Sequence, residues 1–159
     1  MDNWPERIVR KAILGLVPYS SRGGVTSALH LDANESPFTP PPSLSLNKYN
    51  RYPDQQPLSL LERLSTLYST DKKNIMLGRG ADEGIEVLLR TFCESNKDNI
   101  LICSPTFGYY ATCAQIQEAG IIDVPLTSNF EWDDEKIVSE AKKSKNLKLI
   151  FLCSPNNPS

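Results

Sequence analysis

The stretch LGRGADEG, Leu77 to Gly84, sets Gly78 and Gly80 just ahead of Ala81, Asp82 and Glu83. Two glycines at that spacing permit a tight turn and a close approach of backbone to a ligand. The apolar run Ile75–Leu77 reads as a strand before them, and a helical pattern follows. A helix that opens there presents unpaired N–H groups at its positive end, which is the chemistry of phosphate binding. Asp82 and Glu83 would repel an anion that they faced. The backbone of Ala81 and Asp82 must therefore do the holding, with the acids turned aside or bonded to other donors. The spacing is not a dinucleotide fingerprint, because Glu83 stands where the third glycine belongs, and no Gly-Lys-Ser/Thr follows to make a P-loop. A plain glycine turn with acidic capping is the structural alternative, and a nucleotide-binding loop the functional one.

Three further stretches carry usable groups. SPTFGYY, Ser104 to Tyr110, opens a second helix. Side chains in a first turn lean back toward the helix start, so Tyr110 can lay its ring on a planar ligand. Phe107 and Tyr110 stand three apart, and the alternative for both is core packing. SPNNPS, Ser154 to Ser159, closes the chain. Asn157, held extended by Pro158, can aim its amide at an oxygen above a strand end, or can serve the turn itself. NRYPD offers Arg51 and Tyr52, with surface-turn residues as the alternative.

These groups need a frame. Leu58, Leu61, Leu64, Leu67 and Tyr68 recur at helical spacing after Pro57, and Ile85, Leu88, Leu89 and Phe92 do so after the glycines. Ile100–Cys103 and Ile121–Leu126 read as strands, separated by a helix that ends at Gly120. Asp133 to Lys145 is an amphipathic helix with acids first and lysines last, as the helix dipole favours. Leu149–Leu152 reads as a buried final strand. Strands alternating with helices predict an α/β fold with a mostly parallel sheet covered on both faces. Ligands of such sheets bind beyond the carboxyl ends of the strands, where all these loops lie. An irregular N-terminal arm, residues 1–30, precedes this domain, residues 31–159. It includes a short helix from Pro5 to Leu14, and Leu29–Leu31 reads as a short strand at its end.

Composition narrows the function. With 40% of its 159 residues hydrophobic, the chain can build one real core. Its net charge is −2, without clusters of Lys and Arg, which argues against nucleic acid. No run of about 20 apolar residues suggests a membrane span, and MDNWPERIVR lacks the apolar stretch of a signal peptide. Cys93, Cys103, Cys113 and Cys153 form no C-x-x-C pair and have only His30 to join them, so no metal is expected. They read as buried free thiols, which suits a reducing cytoplasm.

In their order and separation these stretches resemble the fold-type I, class I/II aminotransferases that use pyridoxal 5′-phosphate. Within them the chain looks most like the histidinol-phosphate aminotransferases of histidine biosynthesis. LDANESPF, NRYPDQQP, GRGADEGIEVLLRTFC, SPTFGYY and CSPNNP carry the likeness, from Leu31 to Pro158. The resemblance implies that Ala81 and Asp82 hold the cofactor phosphate, Tyr110 stacks on the pyridine ring and Asn157 bonds its phenolic oxygen. It also implies that Tyr52 reaches the phosphate site of a second subunit in a homodimer. Tyr19, Asn34 and Glu35 would lie near substrate. The implied reaction moves an amino group between glutamate and imidazole-acetol phosphate, giving L-histidinol phosphate and 2-oxoglutarate. Other enzymes of the branch, such as threonine-phosphate decarboxylase or an aromatic aminotransferase, share the cofactor cradle. Family members continue past N-P-S with the aspartate that pairs with the pyridine nitrogen, the Schiff-base lysine and an arginine for substrate. The chain therefore matches the N-terminal part of the large domain. By itself it is expected to lack catalysis and to leave a sheet edge open. A non-catalytic remnant, kept as a binding or dimerising module, is the rival from another class.

Overall fold

The computed structural model describes residues 15–16 and 54–159. Most of the expected arm, with its helix and strand, lies outside them. The chain divides into two compact units, one of Glu35–Ala81 and one that joins Met1–Asn34 to Asp82–Ser159.

In the smaller unit, helix α1 (Leu58–Leu67) starts after Pro57 as its pattern predicts, but none of its residues is buried. Leu58, Leu67 and Tyr68 of the stripe are exposed, Leu67 to 70%, while Leu61 and Leu64 are half-buried. A single 3-10 turn, Lys72–Asn74, follows, capped by the Asp71 carboxylate, which accepts from the Lys73 N–H at 3.1 Å. The expected strand at Ile75–Leu77 is not formed. Leu77 instead bonds one side chain through both its backbone groups: its N–H donates to Gln56 Oε1 and its carbonyl accepts from Gln56 Nε2, each at 2.9 Å. A glutamine amide thus takes the place of a neighbouring strand.

Helix α2 (Ala81–Phe92), which enters the larger unit at Asp82, leads there to β1 (Asn99–Ile102), α3 (Tyr109–Gln117), β2 (Gly120–Asp123), α4 (Asp134–Lys143) and β3 (Leu147–Ile150). The three strands are parallel in the order β2-β1-β3. β1 is central, and its alternate residues feed two cores. Ile100 and Ile102 pack with Ile85 and Leu89 from α2, with Cys93 just after it, and with Tyr110, Cys113 and Ala114 from α3. Leu101 and Cys103 pack with Val124 and with Ile137 of α4. Helices therefore cover both faces, as expected of a parallel sheet.

Three local expectations are corrected. The helix after β1 begins at Tyr109 and stops before Gly120. Its left-handed cap is Glu118, at φ 59°. Gly120 is needed for another reason: it is the first residue of β2, and a Cβ there would run into the Asn99 side-chain amide on β1. On α2, Ile85 and Leu89 are buried, whereas Leu88 and Phe92 remain exposed, because the apolar arc is wider than the sheet it meets. β3 is half-buried. Its register slips between Asn99 and Ile100, so Leu147 joins the α4 core while Leu149, Phe151 and Cys153 join the other. Ile150 and Leu152 face the α4 side, which does not extend over them, and stay 44% and 45% exposed.

α4 forms as its charges predict. The Asp133 carboxylate accepts from the Lys136 N–H at 3.0 Å, acids fill the first turn and lysines the last. All four cysteines are free, and three are buried. Among the described residues no three His, Cys, Asp or Glu side chains come together to hold a metal, and no helix is long and apolar enough to cross a membrane.

Candidate active site

The chain leaves β1 toward β2 on one side and returns, through α4, to β3 on the other. The crevice between such diverging connections, beyond the strand ends, is where open parallel sheets bind ligands. Two loops meet there, Ser104–Gly108 after β1 and Phe151–Ser159 after β3.

Ser104 is fixed to the end of β2. Its N–H donates to Asp123 Oδ1 at 3.0 Å and its hydroxyl to Oδ2 at 2.6 Å. Thr106 Oγ1 donates to Asn156 Oδ1 at 3.0 Å, while Asn156 Nδ2 donates to the Pro105 carbonyl at 2.9 Å and to Ser159 Oγ at 2.7 Å. The two loops are thus tied by one amide. Asn157, the asparagine with the implied ligand role, follows directly and is exposed.

Tyr110 lies in the first turn of α3, where its sequence position put it, and is buried. Tyr110 and Phe107 are found in core packing, which was the alternative for both. Phe107 meets the Tyr110 ring edge-on, with centroids 5.6 Å apart. Phe151 stacks on it at 4.8 Å and 17° between planes. Burial, aided by the Cys153 side chain, pushes the Tyr110 phenol up to about 12. The ring is held on one face by protein, so its direction is fixed from within the fold.

Tyr109, its neighbour, was not singled out from the sequence. Its hydroxyl donates to Glu86 Oε1 at 2.8 Å and pins the start of α3 to α2. That bond raises the Tyr109 phenol well above its ordinary range. Burial pushes the Cys113 thiol up as well; the Tyr109 hydroxyl and Arg90 oppose the rise, and the carboxylates of Glu86 and Asp82 add to it. Asp82 and Glu83 stand in the first turn of α2, one turn before Glu86.

At that start Gly80 has φ +88°, the left-handed region, and open space where a side chain would be. Ala81 and Asp82 are exposed. An anion can therefore approach the first N–H groups of α2, where the partial positive charge is greatest. Tyr19, Asn34, Glu35 and Tyr52 lie outside the described residues.

Two larger clefts bracket the sheet. One of about 490 Å³ is lined by Leu126, Phe130, Trp132, Cys153 and Asn156, at the carboxyl ends of β2 and β3. The other, about 560 Å³, lies by Asn96–Asn99 and Glu118–Gly120, at the opposite ends of the strands and away from the groups above.

Comparison with known proteins bears on the family and the fold. The model of the family "Aminotransferase class I and II" matches residues 26–159. The chain is 42% identical over 155 residues to histidinol-phosphate aminotransferase of Photobacterium profundum, covering 96% of this chain and 41% of that protein. Identity is also 42% over 155 residues to the enzyme of that name from Buchnera aphidicola, again covering 96% of this chain and 43% of the relative. The chain thus spans about two-fifths of the length of these relatives. The fold matches the crystal structure of histidinol-phosphate aminotransferase from Sinorhizobium meliloti in complex with pyridoxal-5′-phosphate, with a TM-score of 0.71 and 23% identity, over 79% of this chain and 35% of that one. With the family model matched over most of its length, the chain belongs to the class I and II aminotransferases.

Proposed function

We propose that this chain supplies part of the active site of a pyridoxal phosphate-dependent aminotransferase. The enzyme exchanges an amino group between glutamate and imidazole-acetol phosphate, with L-histidinol phosphate and 2-oxoglutarate as the products, and works in the cytoplasm. The observation that carries this reading is the 42% identity to relatives of that name across 96% of the chain.

The residues fit the cofactor. The exposed N–H groups of Ala81 and Asp82 take its phosphate at the α2 start. Tyr110, backed by Phe151, presents its ring to the pyridine, and Asn157 donates its amide to the ring oxygen. Asn34, Glu35 and Tyr19 contact substrate. Tyr52 reaches the phosphate of a neighbouring subunit, so the working form is a homodimer. When bound, the cofactor supplies the carbonyl that accepts the amino group and the ring that draws electrons from the reacting carbon.

Ala81→Pro tests the phosphate assignment. Ala81 is the first residue of α2, where proline fits the helix and only removes an N–H. A hydrogen bond to a charged group contributes about 1.5–3 kcal/mol. In the intact gene product the variant should bind pyridoxal phosphate about tenfold or more weakly, with unchanged helix content. Unchanged affinity would remove Ala81 from the cradle.

A further inference from the structure

We propose that Asn156 is a positioning residue: its amide clasps the loop after β1 to the loop after β3 and so sets Asn157 against Tyr110. This rests on the cofactor reading given above. It concerns a residue that touches neither cofactor nor substrate in that reading.

The clasp uses most of what an asparagine side chain has. Nδ2 carries two hydrogens, and both are donated, one to the Pro105 carbonyl at 2.9 Å and one to Ser159 Oγ at 2.7 Å. Oδ1 accepts from Thr106 Oγ1 at 3.0 Å. The orientation of the amide is fixed by chemistry, since the Pro105 carbonyl can only accept and must face the nitrogen. Fifty residues of chain separate Asn156 from Thr106 and 51 from Pro105, so these bonds join two parts of the site that have no local connection.

Each end of the clasp leads to a cofactor group. On one side Asn157 is the next residue, and the Asn156–Ser159 bond spans it. On the other side, Pro105 and Thr106 run into Phe107, whose ring abuts Tyr110 edge-on at 5.6 Å. Phe151 stacks on Tyr110 and begins the segment that carries Asn156. The Tyr110 ring and the Asn157 amide are therefore referred to one frame, closed by a single side chain. Asn156 is half-buried, and its bond to Thr106 is the one of the three that is partly shielded from water. Aspartate has the same shape but no donor, and would set a carboxylate against the Pro105 carbonyl. Thr106→Val removes only the Oδ1 partner.

The test uses the intact gene product with Asn156→Asp, Asn156→Ala, Thr106→Val and the Thr106→Val/Asn156→Ala pair. Pyridoxal phosphate affinity, the visible absorption of the bound cofactor and its change with pH are read well below the unfolding temperature. Amide hydrogen exchange of residues 104–110 and 154–159 is read without cofactor. A clasp predicts faster exchange in both loops together in either Asn156 variant. It predicts affinity about tenfold weaker with a shifted absorption profile, a smaller effect of Thr106→Val in the same direction, and a double variant no worse than Asn156→Ala. Normal affinity and spectrum in variants that merely melt earlier would overturn the positioning role. Exchange that quickens in only one loop would overturn the clasp. If the unaltered protein binds no pyridoxal phosphate while both loops loosen together, the cofactor reading fails and the clasp stands.

Discussion

Asn99 and Gly120 face each other across the β1–β2 ladder, and the Asn99 amide fills the space where a Gly120 side chain would be. Asn99 Nδ2 also donates to Ser144 Oγ at 3.3 Å, so it cannot swing away without losing that bond. Gly120→Ala should lower stability by about 1–2 kcal/mol, the usual cost of forcing a methyl into filled space. Asn99→Ala in the same molecule should regain part of it, and urea midpoints of the three variants check both statements. Tyr110 gives a pH prediction. Its phenol is raised in the folded chain to about 12, against about 10 in an unfolded one. Below about pH 10 both states are protonated and its contribution to stability is complete. As pH rises from there toward about 12, the unfolded state loses its proton first and the contribution is lost. Tyr110→Phe should therefore flatten part of the alkaline fall in the urea midpoint. The buried Cys93 and Cys103 thiols, also raised by burial, account for a further part in both proteins. An equal fall in the variant would show that Tyr110 titrates normally. The sequence places Tyr110 in a helix start because a first turn has a local signature. It does not reveal Phe151 as the stacking partner or Asn156 as the tie, since both act across distant parts of the chain.

The elements with strong local patterns formed as written: α1, α2 and α4 from their periods, and β1 from its β-rich run. The departures lie where a tertiary partner decides. Ile75–Leu77 has strand composition, but Gln56 satisfies Leu77 instead of a strand. Gln56→Ala leaves that N–H and carbonyl to water, which should cost about 1–2 kcal/mol for two exposed bonds. Faster amide exchange at Leu77, without change at Ile100–Ile102, would be the expected sign. A protected Leu77 in the variant would mean that another group holds it. The helix before β2 ends at Glu118 rather than at the glycine, because Gly120 is required in the strand by Asn99. The stretch Leu149–Leu152 looks uniformly buried in sequence. Which of its residues are covered depends on the register slip and on how far α4 reaches, and neither is written locally.

Among the described residues of the larger unit, one central strand joins two small cores, with a helix pair on one face and a single helix on the other. The loops after β1 and β3 converge at one end of the sheet. The parallel α/β class was legible because alternating helices and strands allow few other arrangements. The proposed cofactor groups stand out only as an ordered set, since each stretch also suits a turn or a core. Glutamate formation by the intact gene product, supplied with L-histidinol phosphate, 2-oxoglutarate and pyridoxal phosphate, decides whether it carries out the proposed transfer. An aromatic amino acid and threonine phosphate serve as competing donors. The account predicts one glutamate for each histidinol phosphate consumed, with the largest kcat/KM for that donor. No glutamate from histidinol phosphate, with or without turnover of the other donors, would contradict it.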